Sequence, residues 1–399
     1  MQIQIQNDMN PLLISGFGCF LNIDKRKLVV YNAFTKEKME FYPHQIEYDT
    51  IIIDGHSGAV SLDALRWIAK HGIALTILNW NGNVLSTLQP KEPVSGKLKI
   101  SQYKAYLDEK KRISIASEII KTKISKSYEL LKELSKYYKE LKINEIKAAF
   151  AKETNQNSLG SINYIMMHEG RIADIYWKNM SKIFNFLAPE FNFKSRKGKS
   201  YSWNMNASDE INAMLNYGYA VLETLVRKYI NAVGLDPTIG FLHEINASKT
   251  PLVYDLQELY RWVIDLSVIQ VLEDKKLKKS DFIVTENYNI RLRESAAKLL
   301  LNKIRINFNS VSKYKGKNRA LEFTLLDNLR KLSDFISGKS NSLKFYVPEA
   351  NISRNDDIDI REKILSITPA ERKRLGINKS TLWYRQKAIK EGKTIKLYK

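Results

Sequence analysis

Four residues in the middle of the chain have the chemistry of a site for a hard cation: Glu169, His243, Asp255 and Glu258. Glu169 lies in the helical run Met167-His168-Glu169-Gly170-Arg171. His243 follows a glycine-containing turn in Gly240-Phe241-Leu242-His243-Glu244, and Asp255 and Glu258 stand three apart in Val253-Tyr254-Asp255-Leu256-Gln257-Glu258-Leu259. On the first turn of a following helix the two carboxylates would project from one face, near the positive end of its dipole. One imidazole and two or three carboxylates from separate elements, with positions left open, suit Mg2+ or Mn2+, which retain waters and accept phosphate oxygens. Such a cation polarises a scissile phosphate and lowers the pKa of an attacking hydroxyl. Each residue also has a plain alternative. A lone histidine near a helix start is often packed or capped, Glu169 can pair with Arg171, and acidic residues gather at helix N-termini for dipole reasons alone. Spacing leaves the third ligand open between Asp255 and Glu258.

The rest of the chain says what such a cation would act on. Lys and Arg number 64 against 43 Asp and Glu, a formal net charge of +21. That surplus points to a nucleic acid or an anionic surface. No apolar run approaches the roughly 18 residues that span a bilayer, so we expect nucleic acid and no membrane. Cys19 is the single cysteine, which excludes disulfide frameworks, thiolate zinc sites and CxxC redox chemistry and fits a reducing cytosol. The start of the chain lacks a basic region followed by an apolar one, and a soluble cytoplasmic protein is expected.

The elements that must position the four residues follow from periodicity. The fold class expected is α+β and multidomain: a β-rich domain over 1–95, a large α-helical catalytic domain over 96–338, a linker over 339–360 and a helix-turn-helix over 361–399. In the first part, a hairpin joins Leu12–Ile23 to Lys27–Tyr31, Thr50–Asp54 is a β-branched strand, and Ser61 caps a helix with Leu62, Leu65, Trp67 and Ile68 as its core face. Gly16-Phe17-Gly18 reads as a turn or bulge rather than a phosphate loop. After Pro93, apolar residues recur at the helical period, and the lysines from Lys121 to Lys147 read as a solvated face because glutamates interleave with them. Further helices are expected over 211–233, 256–273, 295–304 and 321–336. The basic loop holding Lys194, Arg196, Lys197 and Lys199 is a candidate DNA contact.

From Arg361 to Lys399 there are twelve Lys/Arg against three Glu. Thr368-Pro369-Ala370-Glu371 is a capping box with proline at the first helical position. A second helix starts near Asn378-Lys379-Ser380 after a short turn with Gly376, which is the helix-turn-helix pattern. Lys379, Thr381, Tyr384 and Arg385 are its candidates to face a DNA groove.

Several blocks in order resemble the CRISPR adaptation integrase family over about residues 12 to 338. They include Ile14-Ser15-Gly16-Phe17-Gly18, Gln102-Tyr103-Lys104-Ala105-Tyr106, His168-Glu169-Gly170-Arg171-Ile172-Ala173 with Tyr176-Trp177, and Asn216-Tyr217-Gly218-Tyr219. Gly240-Phe241-Leu242-His243 and Tyr254-Asp255-Leu256-Gln257-Glu258 complete the set. The resemblance implies a metal-dependent integrase and endonuclease in which a donor 3′-OH attacks a target phosphodiester. It implies Glu169, His243 and Glu258 as metal ligands, Asp255 beside them, and Tyr217 in support of the site or the DNA. It also implies double-stranded DNA as donor and target, and a homodimer formed through the β-domain, or a higher oligomer on DNA. The basic tail departs from the shorter adaptation enzymes and resembles casposases, transposon-encoded members that work without the second adaptation protein. A partner subunit is expected only in the CRISPR branch. The rival of a different class is a non-catalytic helix-turn-helix regulator.

Overall fold

The computed structural model describes residues 9–349 apart from 34, 56, 80–81, 91–94, 155–159, 197–206, 208, 247–248 and 286–289, and beyond them 367, 372 and 378–390. Two compact units divide the chain, Met1–Ala350 and Asn351–Lys399.

The first unit opens with two four-stranded sheets. Strands β1 (Pro11–Gly16), β5 (Thr50–Gly55) and β7 (Ala74–Leu78) are parallel, and β8 (Val84–Leu88) adds antiparallel to β7. The second sheet runs β4 (Glu37–Phe41), β3 (Lys27–Asn32), β2 (Cys19–Asp24), β6 (Gly58–Val60). β1 and β5 read as unbroken apolar runs because both their faces are covered. The expected hairpin is β2–β3, but the run Leu12–Ile23 is two strands in two sheets. Gly16-Phe17-Gly18 makes the corner, with left-handed φ of +97° and +71° at its glycines, a conformation that favours glycine. Helix α1 (Leu62–Lys70) is capped by the Ser61 hydroxyl as expected and buries Ala64, Trp67 and Ile68. Leu62, expected in the core, is 69% exposed, because it precedes the first full turn.

Nine helices of this unit follow among the described residues: α2 (Gly96–Leu107), α3 (Glu109–Leu134), α4 (Ile143–Thr154), α5 (Ile162–Leu187), α6 (Glu210–Val233), α7 (Pro251–Gln257), α8 (Arg261–Glu273), α9 (Glu294–Phe308) and α10 (Leu321–Ile336). Two small hairpins intervene, β9 (Phe282–Val284) with β10 (Ile290–Leu292) and β11 (Val311–Tyr314) with β12 (Lys317–Ala320). The second hairpin is the basic turn around Lys315 and Gly316. Helix α6 is the hub. Gly218 lets α8 approach so closely that a Cβ at this position would lie 2.4 Å from Ile264 Cγ2. Buried ion pairs tie the first sheet to later elements: Arg291 on β10 to Asp54 on β5 at 2.5 Å, and Lys228 on α6 to Asp49 just before β5.

Two expectations need correction. The helix expected over 256–273 is broken at 258–260, so Asp255 lies in the last turn of α7 and Glu258 caps it instead of both riding on the first turn of the next helix. Tyr260 is fully buried, its hydroxyl 3.0 Å from Thr324 Oγ1 and 2.9 Å from Asn328 Nδ2, which draws this segment toward α10. The linker expected from 339 is strapped down over its first part. Phe345 and Val347 are buried, the Phe345 amide donates to Glu118 at 3.1 Å, and Tyr346 pairs through its backbone with the Asn328 side chain.

In the second unit the described helix is α11 (Lys379–Lys390). On this helix Leu382 is buried, while Trp383 and Tyr384 are 54% and 67% exposed. The first helix expected for a helix-turn-helix and its turn lie outside the described residues.

Candidate active site

Helix α5, capped by the Ser161 hydroxyl, carries Glu169 toward α3. On α3, Ile119, Ile120, Ile124, Leu130 and Leu131 are buried. Lys123 lies four residues from Ile119 and three from Ile120, so it shares their stripe. Its Nζ stands 2.5 Å from Glu169 Oε1 and 2.6 Å from Glu258 Oε2. The other oxygen of Glu258 faces Arg261 Nε at 3.0 Å. Burial works against the charge on Glu258, but Arg261 and Lys123 hold its carboxyl down at about 2. Burial likewise opposes the Lys123 ammonium, and Glu258 and Glu169 more than compensate, raising its pKa. Glu169 is therefore tied to Lys123 rather than to its neighbour Arg171, whose guanidinium lies 3.6 Å from Glu153.

His243 is positioned by Asp255. That carboxylate is fully buried and accepts from three successive amides: Phe241 at 2.5 Å, Leu242 at 3.0 Å and His243 at 3.0 Å. It also bonds the imidazole Nδ1 at 2.7 Å, which leaves Nε2 as the nitrogen that could face a metal. Burial lowers the His243 pKa, but the Asp255 hydrogen bond and charge outweigh it, so the net direction is up. Asp255 thus has both oxygens committed and is a positioning residue. The loop it ties is anchored from the other side, where Gln102 Nε2 donates to the carbonyls of Asp236 and Ile239 and Arg112 reaches Phe241 O and Glu244.

Among the described residues no group of three or more His, Cys, Asp or Glu is arranged to hold a metal ion. The donor set nonetheless suits one. Two carboxylates are drawn to a single cation, an imidazole has its far nitrogen committed, and Glu258 Oε2, though buried, makes no directed hydrogen bond to its lysine.

Glu169, Glu258 and Arg261 line a cleft of 610 Å³ with Lys123, Trp177 and Arg196. At its floor Asp265 accepts from the Tyr176 and Tyr219 hydroxyls, each at 2.6 Å. The guanidiniums of Arg261 and Arg196 lie 4.7 and 5.2 Å from the Tyr219 ring centre, a cation–π arrangement. Arg196 further bonds Asn212 and Asn216 at 2.8 and 2.7 Å. Of the expected DNA contacts, Arg196 lines the cleft and Lys194, Lys379 and Tyr384 are exposed. Lys197, Lys199 and the side chains of Thr381 and Arg385 lie outside the described residues. Tyr217 does not face solvent. It is 4% exposed, in a small cavity with Asp54 and Arg291, because its helix face packs toward the sheet. Sequence reasoning missed Lys123, Arg261, Asp265 and Tyr219. The stripe position of Lys123 and the three-residue step from Glu258 to Arg261 were the signals available.

The family model for CRISPR associated protein Cas1 matches residues 12–305. A CRISPR-associated endonuclease Cas1 of Archaeoglobus fulgidus is 29% identical over 342 residues, covering 82% of this chain and 96% of its own. One from Francisella tularensis subsp. novicida is 30% identical over 340 residues, covering 84% and 98%. Among solved structures, a casposase bound to integration product is similar with a TM-score of 0.79 and 36% identity, over 90% of this chain and 99% of that one. A Cas1 protein from Thermotoga maritima shares the fold, with a TM-score of 0.67 and 18% identity, over 85% and 100%. Among the described residues, no helix is long and apolar enough to cross a membrane.

Proposed function

That this chain belongs to the Cas1 family and is a DNA integrase and endonuclease is the premise from which we propose that Glu169, His243 and Glu258 hold a divalent metal at the centre of a strand-joining site. The observation that carries this reading is the convergence of two carboxylates on one cation beside a histidine fixed by Asp255. Cas1 endonucleases are generally divalent-metal dependent, and Mg2+ or Mn2+ suits these oxygen and imidazole donors. A cation held by these residues would polarise the scissile phosphate and favour ionisation of the attacking 3′-hydroxyl. The chain's own residues do the rest. Asp255 keeps the proton of His243 on Nδ1 and the ring in one orientation. Arg196 and Arg261, braced on Tyr219, present cationic groups to phosphates entering the cleft. Asp265 and the two tyrosines keep that platform rigid.

The substrates on this reading are double-stranded DNA ends and a double-stranded target. Lys194, with Lys197 and Lys199, contacts the duplex. The protein acts in the cytoplasm as a homodimer joined through the β-part, where Phe20 and Tyr31 are paired across β2 and β3 and both exposed. The likeness to a casposase over nine-tenths of the chain and the basic tail favour the transposon-encoded branch, in which no second adaptation protein is needed. Residues 361–399 then act as a helix-turn-helix that chooses the target through Lys379, Thr381, Tyr384 and Arg385. A non-catalytic regulator finds no support.

The test is strand transfer. Duplexes with free 3′-OH ends are incubated with supercoiled plasmid and Mg2+ or Mn2+. Wild type should join them and His243→Ala should not. Equal joining by both would overturn the metal assignment.

A further inference from the structure

Each oxygen of Glu258 faces a cation. Oε2 is 2.6 Å from Lys123 Nζ and Oε1 is 3.0 Å from Arg261 Nε. Lys123 also holds Glu169 at 2.5 Å. A divalent cation bound by both carboxylates needs oxygens at about 2.1 Å, which Lys123 now contacts. The two cations therefore compete, because an ammonium and a divalent cation sharing these oxygens would repel at a few ångströms inside a cleft. Lys123 stands on a stripe of isoleucines whose side chains are buried.

Resting on the reading that Glu169, His243 and Glu258 bind the metal, we propose that Lys123 is a positioning residue that competes with the metal. Its ammonium keeps the two carboxylates together and is exchanged for the divalent cation when the site loads. The lysine serves two ends by this exchange. It prevents a buried and a half-buried carboxylate from repelling each other, and it sets a threshold that a monovalent ion does not cross, since only a divalent charge exceeds the one it replaces. Arg261, held over Tyr219 at 4.7 Å, stays in place.

The experiment is a titration of the full-length protein with Mn2+ in the absence of DNA, followed by the paramagnetic signal of free Mn2+, with a thermal melt at each end point. Lys123→Met should bind Mn2+ on the order of tenfold more tightly than wild type, from the removal of one competing charge. It should melt lower than wild type without Mn2+ and gain more on adding it. Lys123→Arg, which restores the charge, should return affinity toward wild type. A merely structural lysine predicts the reverse, with affinity unchanged or weaker in Lys123→Met, and that result overturns the proposal. The underlying reading fails in a different way: wild type then binds no Mn2+, or His243→Ala binds it as well as wild type does. If Lys123→Met does not fold, Lys123→Gln, which keeps a hydrogen-bonding group without the charge, is held to the same expectation of tighter binding.

Discussion

Replacing Asp255 by Asn tests the centre of the site with almost no change in shape. The carboxylate accepts four N–H groups, three from the amides of Phe241, Leu242 and His243 and one from the imidazole. An asparagine keeps one oxygen and turns an NH2 toward the donors on the other side, so about half of these bonds are lost. Hydrogen bonds to a charged group are worth about 1.5–3 kcal/mol each, which puts the cost at roughly 3–6 kcal/mol and the fall in melting temperature on the order of 10 °C. The imidazole loses the partner that fixes its tautomer, for which about 10–100-fold in metal affinity is expected. Melting by circular dichroism and Mn2+ titration measure the two effects separately. His243→Ala is the control: it removes the ligand but keeps the three amide bonds, so it should lose the metal while melting much closer to wild type. An Asp255→Asn protein that melts within about a degree of wild type and binds Mn2+ equally well would refute the assignment of Asp255 as the residue that builds the loop.

Two further changes probe the surroundings. Lys194→Ala removes an exposed cation beside the cleft arginine. DNA binding should weaken evenly across sequences, and the slope of log affinity against log salt should fall by about 1, as measured by fluorescence anisotropy over a salt series. Gly218→Ala inserts a methyl 2.4 Å from Ile264 Cγ2. Overpacking of this kind costs about 1–3 kcal/mol, read as a lower denaturant midpoint, and the same change should cost less when made in an Ile264→Ala background.

How much of this was legible in the sequence differs by element for physical reasons. Helix α10 runs over the expected 321–336 and α6 ends at the expected Gly234, since both are amphipathic enough for periodicity to mark their extent. The break at 258–260 was not legible. Helix α8 is buried on nearly every side, so its composition is apolar all round and carries no phase from which a break could be read. The proposed ligand residues were visible mainly through the ordered blocks that resemble the integrase family, since spacing alone left each of them with a plain alternative. The residues that complete the site were not. Tyr176, Tyr219 and Asp265 come from three helices and meet only in the fold. Lys123 was read with its neighbours as solvated, although its spacing from Ile119 and Ile120 already set it on the buried stripe. Charge composition of a segment says little about one position; the phase of that position on its helix says more.

The electrostatics of the whole chain give that buried lysine a second consequence. With a formal net charge of +21, the protein attracts DNA from a distance, and the field is screened beyond about 10 Å at moderate salt. At closer range two unpaired carboxylates in the cleft would repel the phosphate that has to reach them. Glu169 and Glu258 are instead balanced by Lys123 and Arg261, so the cleft does not oppose the basic surface. A divalent cation that takes the place of one ammonium leaves the site more positive by one unit, and the balance tips further toward the phosphate as the reaction centre is assembled. The acids proposed to bind the metal and the duplex that must approach them can therefore share one cleft.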